Sequence, residues 1–518
     1  MKNIFPFLFL CLLTSFVTKA QKKVTSIKNL SGYEIENSIK LNYIPVDIQP
    51  GENGRKEIPM GVLGIHYDFT LNKNFYAGVG MFSAMQGDQG GLFTLGAELG
   101  FQQQLYKNLY FDTDFHFGGG GGYRYLVKDG AFVNYNIGLK YKTTKIALGI
   151  QYSYFNFYNG YIKSTNISGF LTIPTKFIFT NYENANSRYI LDTNNNQEYF
   201  WNRAANKNGL TLRFDHFLPT GNTKDQYNKP LTNTLYLLGF EYDNYISRKS
   251  FSYIHLDAIY KGLESGFMDL FIGIGYEPIQ TKSLKIFTKF GVGSSGGRVE
   301  LEGGLTIYPS IGLERKIRKN LSLELHGGYT MAPFGNFKAY TIGYGIKYNT
   351  YNNGIYHNNF DSPVTVTAHG IRLSLQNQTY FQAASTQTKP YDLQLIVVQI
   401  NQDLSKHIYL TGQAAFTYEG EAGGYADGMV GLGYYSPRIF YKKIELNLEI
   451  LAGVGGGARI DTGSGIAIKP KLGMNYVLSN KFHLTSSIGK IIAPFGNLNS
   501  TLLSFGFTFN FAKVQVSQ

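Results

Sequence analysis

Apolar residues recur at every second position through most of the chain, which is the period of a half-buried β-strand. The clearest run sets Leu284, Ile286, Thr288 and Phe290 on one face and Lys285, Phe287, Lys289 and Gly291 on the other. The same alternation opposes Leu446, Leu448 and Ile450 to Glu445, Asn447 and Glu449, and Leu109, Phe111 and Phe115 to Asp112, Asp114 and His116. In the middle of the chain it predicts eight strands, over 209–218, 233–245, 250–261, 267–277, 283–294, 304–316, 320–333 and 337–348. A soluble sandwich needs a dry interior between its sheets. An apolar face backed by a charged or Gly-rich one fits instead a barrel that is apolar toward lipid and polar within.

The pattern also repeats at long range. Gly297-Arg298, the stretch Gly304 to Gly312, and Ala332 to Asn336 recur 161 residues later at Ala458-Arg459, Gly465 to Gly473, and Ala493 to Asn497. A weaker copy, with Arg124, Gly130, Gly138 and Lys145, lies 174 or 175 residues upstream of its counterparts. Three internal repeats of about eight strands follow, placed at 36–174, 208–348 and 369–511, with Asn-rich linkers at 181–208 and 349–359. Such a chain closes either as three small antiparallel barrels in tandem or as one transmembrane β-barrel of about 24 strands. Short connections at 261–266, 294–303 and 332–337, and inward Gly273, Gly275, Gly312, Gly431, Gly433 and Gly473, favour the narrow barrels.

Composition narrows the class. Aromatics make up 15% of the 518 residues and charged residues 16%, against roughly 25% charged in an average soluble domain. That excludes disorder and disfavours an ordinary cytosolic enzyme. Residues 1–20 read as a secretory signal peptide, with Lys2, an apolar run from Ile4 to Val17 that contains Cys11, and Ala20 before the cut. Its loss leaves no cysteine and takes the net charge from +13 to +11, since 46 − 35 = 11. The densest apolar stretch, Leu393 to Ile400, is too short for a membrane helix. Tyr236, Tyr242, Tyr276, Tyr434, Tyr435 and Tyr476 stand at strand ends like an interfacial girdle. In these features the chain resembles bacterial outer-membrane β-barrel proteins, and its Gly/Tyr/Asn-rich style is similar to those of the Bacteroidota. The resemblance covers nearly the whole mature chain, without a diagnostic motif. It implies an outer-membrane location, contact with membrane lipid and lipopolysaccharide, and the barrel-insertion machinery as a partner. It also implies a terminal aromatic strand, here Phe505, Phe507, Phe509 and Phe511, displaced from the end by Ala512 to Gln518.

Chemical motifs are few. Gly291-Val-Gly293-Ser-Ser-Gly296 matches a dinucleotide fingerprint, but no helix follows, so it reads as a hairpin loop. No cofactor and no metal site are expected. His255 with Asp257, His116 with Asp114, and His216 with Asp215 read as inward polar networks. His326 with Thr330, and His483 with Ser486 and Ser487, are the candidates if the chain were a lipid-modifying enzyme. The positive charge is spread along the chain in turns such as Arg315, Lys316, Arg318, Lys319, Lys442 and Lys443, which are expected to face the periplasm, with no basic stripe for nucleic acid. The expectation is a structural, adhesive or assembly role without catalysis, with an unidentified protein partner. A transport pore is the alternative, and the enzyme a second one.

Two sets of charges stand out. Facing strands five and six oppose Glu445 and Glu449 to Lys469 and Lys471, Lys285 to Glu314, and Asp112 to Lys140, with Glu449 expected diagonally across from Lys471. Arg124, Arg298 and Arg459 each precede by six residues the Gly that opens strand six. Arg298 is expected to reach the inward Asp269, and Arg459 the inward Asp427. Thr94 stands at that place in the first copy, which leaves Arg124 to another acid such as Asp88. Binding of anionic outer-leaflet lipid or of a partner's acidic groups is the competing reading for the three arginines.

Overall fold

The period-two segments form antiparallel strands of 10 to 20 residues, long enough to cross a bilayer at a tilt. The computed structural model describes residues 24–26, 32–51, 54, 56–122, 124–191, 204–354 and 364–516. The signal segment 1–20, with Cys11, lies outside them.

The hydrogen-bond ladder closes three times. Tyr33–Val46 pairs with Lys163–Thr180, Asn206–Pro219 with Lys338–Asn352, and Val364–Ala383 with Asn499–Val516, each closure completing eight consecutive strands. Pairing between the closed sets is sparse: Asn352 meets Gln515, and Ala512 and Lys513 meet Thr180 and Phe179. In the first linker, Arg188–Leu191 pairs with 364–367 and, in parallel, with Val24–Ser26.

Outward residues are apolar and exposed, among them Phe290, Leu448 and Ile450, while Lys289, Asn447 and Glu449 between them are buried. All-β antiparallel closure with this polarity satisfies every backbone group without water, and it is the architecture of an outer-membrane protein. No helix among the described residues is long and apolar enough to cross a membrane. Tyr242, Tyr276, Tyr434 and Tyr476 stand on the outside. Tyr435 does not: it lies inside, stacked on Tyr409 at 3.9 Å and under the Arg372 guanidinium at 3.6 Å, because the strand alternation that sends Tyr434 to lipid turns its neighbour inward.

Nine tight turns lie at the end where each set begins: 71–74, 107–108, 143–146, 246–249, 281–283, 317–320, 404–407, 436–443 and 478–481. Every one carries Lys or Arg and none carries Asp or Glu. The opposite connections are longer, up to 220–234, and mixed in sign. Short turns face the periplasm in such proteins and longer loops face outward. The basic turns, spread along the sequence and expected to face the periplasm, thus share one rim, because the topology brings sequence-distant turns to the same end. The expected hairpin loop at Gly291 to Gly296 is also corrected: it is the outer end of strand Leu284–Gly296, held by Ser294 Oγ donating to Ala84 O at 2.7 Å.

Candidate functional site: filled barrels around a central chamber

Eight strands leave a lumen only wide enough for side chains, and here the side chains fill it. At the outer end each lumen is closed by an apolar plug, built around Phe82 and Phe132 in the first barrel, Phe267 and Phe337 in the second, and Leu393, Tyr425 and Leu451 in the third. Below the plug lie ion pairs. Lys471 is directly opposed to Glu449, not diagonal to it, at 2.7 Å. Lys285 faces Glu314 at 3.6 Å and also reaches Glu277 at 3.3 Å. Lys140 pairs with Asp112. Two partners differ from the expectation. Lys469 reaches Asp427 at 2.9 Å, and Glu445 is held by Arg372 and, at 3.7 Å, by Arg438. The barrel brings strands one and five across the lumen, which hairpin reasoning on strands five and six alone could not place.

The same closure explains the histidines. His326 Nε2 lies 2.5 Å from Asp215 Oδ1 and 2.6 Å from Arg213, remote from any role with Thr330. His483 is buried, and neither ring nitrogen hydrogen-bonds to Ser486 or Ser487. His255 Nε2 meets Asp257 at 2.7 Å. His216 points outward against Tyr236, at 4.8 Å, so its expected inward pairing with Asp215 is corrected. Two buried groupings have ligand-type spacing, His66–Glu98–His116 and Asp215–His255–Asp257. Each already contains a cation: Lys40 lies 3.8 Å from Glu98, and Arg213 lies 3.0 Å from Asp215.

The loop arginines do not reach the inward acids. Arg298 pairs with Glu264 at 3.0 Å and donates from Nε to Ser265 O at 3.1 Å. Asp269 lies buried inside, 3.8 Å from His255. Asp427 is occupied by Lys469 and by the Tyr380 hydroxyl, which donates to it at 2.6 Å, while Arg459 is exposed. The plug separates loop from lumen, so the guanidinium finds its acid in a neighbouring loop. Arg124 opens a one-turn helix, Arg124–Val127, and its side chain lies outside the described residues, as does any pairing with Asp88.

These loops assemble something the strand pattern did not announce. Six glycines, two per barrel, touch in a closed ring. A Cβ on Gly91 would overlap Gly297 N, one on Gly266 would touch Gly457 at 3.4 Å, and one on Gly424 would meet Gly122 N at 3.0 Å. Within each barrel, Gly122 abuts Gly91 O, Gly297 abuts Gly266 O, and Gly457 abuts Gly424 O. Five of the six have φ between +88° and +122°, which L side chains rarely adopt. Hydrogen bonds lock the ring: Gly90 N donates to Glu302 O at 2.6 Å, Gly423 N to Lys128 O at 2.8 Å, and the Ser265 and Thr462 hydroxyls join at 2.8 Å. Beside it the outward faces of all three barrels pack through Phe93, Leu95, Leu270, Ile396 and Phe416.

This glycine collar surrounds a chamber of about 1450 Å³. Above the collar its mouth is polar, with Lys128, Asp129, Glu264, Arg298, Glu421 and Arg459. Below, Leu210, Leu238, Phe240 and Leu256 of the second barrel face Val398, Ile400, Leu410 and Val430 of the third, and the first barrel contributes only its outer end. These are the apolar positions that alternation assigns to lipid.

No family model matches the chain, and no curated protein matches it. Among solved structures, a de novo designed transmembrane β-barrel is 15% identical and covers 28% of this chain and 97% of its own, with a TM-score of 0.20. The siderophore receptor PirA of Pseudomonas aeruginosa is 8% identical and covers 93% of this chain and 81% of its own, with a TM-score of 0.27. A ferric enterobactin receptor variant from the same organism is 9% identical and covers 95% and 81%, with a TM-score of 0.26. The likeness is one of barrel architecture. The expectation of a structural, adhesive or assembly role is nevertheless corrected on the geometry: the chain carries a chamber that leads inward from its outer loops, as the transport alternative requires.

Proposed function

We propose that this chain is an outer-membrane transport protein without catalysis of its own, and that its route is the chamber between three narrow barrels in tandem. One observation carries the reading: the lumens are filled, while the space between them runs from a polar mouth through the glycine collar to apolar walls. Descent of the three sets from one eight-stranded unit is supported by the collar itself, whose glycines recur at matching places, Gly91, Gly266 and Gly424, and Gly122, Gly297 and Gly457. Lipopolysaccharide and the insertion machinery are the partners expected of such a barrel. The walls suit an apolar or amphipathic cargo.

Gly412 and Gly428 provide the test. Both line the chamber, and a Cβ on either meets nothing within 4 Å. Phenylalanine at both positions narrows the chamber without crowding a lumen. The double variant is expected to fold with unchanged heat-modifiable gel mobility and to lower accumulation of an alkyl-tailed fluorescent dye in cells at least several-fold. Unchanged accumulation overturns the route.

A further inference from the structure

Two of the hairpins that wall the chamber end in turns of the basic rim. Leu238, Phe240 and Leu256 lie on the hairpin whose turn is 246–249, and Val398, Ile400 and Leu410 on the hairpin whose turn is 404–407. Those turns carry Arg248 and Lys249, and Lys406, all exposed. On the third barrel the lining extends to Ile400 and Gln402, near the end of strand Tyr391–Asp403, so Lys406 follows directly below it; on the second it ends at Phe240 and Leu256, with Arg248 and Lys249 further down the same hairpin. Filled with water, about 1450 Å³ would hold roughly fifty molecules at ~30 Å³ each. Walls of Leu, Ile, Val and Phe offer such water no hydrogen bonds, and large dry voids forfeit dispersion contacts. Chains of a membrane lipid satisfy both demands.

We propose that the chamber is a binding site for a glycerophospholipid of the periplasmic leaflet, its acyl chains upright between the second and third barrels and its phosphate held by Arg248, Lys249 and Lys406. The chains reach up to the glycine collar at the outer end, and the first barrel, which walls only that end, leaves the lower chamber accessible from the bilayer. Phosphate suits these turns for a second reason: neither 246–249 nor 404–407 contains an acid, so their exposed charge is positive. The proposal rests on the chamber being the transport route and names what enters it.

The test uses the full chain. Ile400→Trp, in a Trp201→Phe background, puts the only tryptophan on the chamber wall. After reconstitution with phospholipid brominated along its chains and transfer into unbrominated detergent, its fluorescence is expected to stay quenched. A tryptophan placed instead at Leu148, on the open lipid face of the first barrel, recovers on the same transfer. Arg248→Glu, Lys249→Glu and Lys406→Glu together are expected to cut the phospholipid phosphorus retained per chain several-fold with unchanged gel mobility. Recovery of the Ile400→Trp signal at the same rate as Leu148→Trp overturns the site, as does retention of lipopolysaccharide in place of phospholipid. Failure of the transport reading looks different: lipid stays bound and quenching persists, yet the Gly412→Phe, Gly428→Phe chain accumulates dye like the parent. Dye uptake that falls in that variant while the parent chamber holds no lipid keeps the route and removes the lipid.

Discussion

The Tyr409 ring lies across Gly433, its directly opposed partner on the next strand, in the space a Cβ would need. Tyr76 lies across Gly100 and Phe251 across Gly275 in the same register. The ring shields a glycine that would otherwise leave the strand bare, a device that stabilises curved sheets. Gly433→Ala is expected to cost about 1–3 kcal/mol through overpacking, read as an earlier urea midpoint for the third barrel in detergent. Adding Tyr409→Leu recovers part of the loss. An unshifted midpoint in the single variant would count against the packing described.

Charge inversion tests the lumen. Lys471→Glu leaves two carboxylates facing each other, and breaking a buried pair in this way costs about 3–5 kcal/mol. Adding Glu449→Lys is expected to restore much of it. Gln399, whose amide accepts from Lys471 and donates to Glu449, both at 3.0 Å, can turn over to serve the swapped pair. No rescue in the double variant would show that surroundings other than the pair set the stability.

The collar can be stapled. Ser265 and Thr462 join the second and third barrels through hydroxyls 2.8 Å apart. Cysteines at both places are expected to form a disulfide without added oxidant at the oxidising cell surface, on a background with no other cysteine beyond residue 20. The measurement is a faster-migrating band that reductant abolishes. Persistent free thiols in folded protein would contradict the collar.

Much of this fold is legible in the sequence, for a physical reason: a strand that must face lipid on one side and a crowded lumen on the other writes both constraints at period two. Lys285 with Glu314, and Glu449 with Lys471, could therefore be read as opposed. Arg372 with Glu445 could not, because the pair crosses a lumen whose curvature no hairpin register specifies. The chamber was illegible for a different reason. Leu256 and Val430 look lipid-facing because the wall of the chamber makes the same demand as the bilayer, and Gly91 or Gly457 looks like an ordinary loop glycine until its neighbour in another barrel is known. The signal that could have found them is a glycine just before the fourth strand and another just after the fifth strand of each closed set.

Arg298→Gln is expected to change stability by less than about 1 kcal/mol, since its partner Glu264 is half exposed and water screens the pair. Asp269→Leu, by contrast, alters a wholly buried acid beside His255 and is expected to shift the unfolding midpoint markedly. Equal shifts for the two would mean that loop and lumen are not separated by the plug.

The shared chemistry of chamber wall and lipid face bears on how such a chain is assembled in time. A barrel inserted ahead of its neighbours shows the bilayer a surface the bilayer already solvates, so Leu256 needs no chaperone while it waits for Val430 to arrive opposite. The glycine ring is the one element that no partial chain can complete, since its last contacts, Gly266 with Gly457 and Gly122 with Gly424, require the final barrel. A barrel that waits for its neighbours thus exposes no adhesive face to water, and the ring itself is completed only at the closing step.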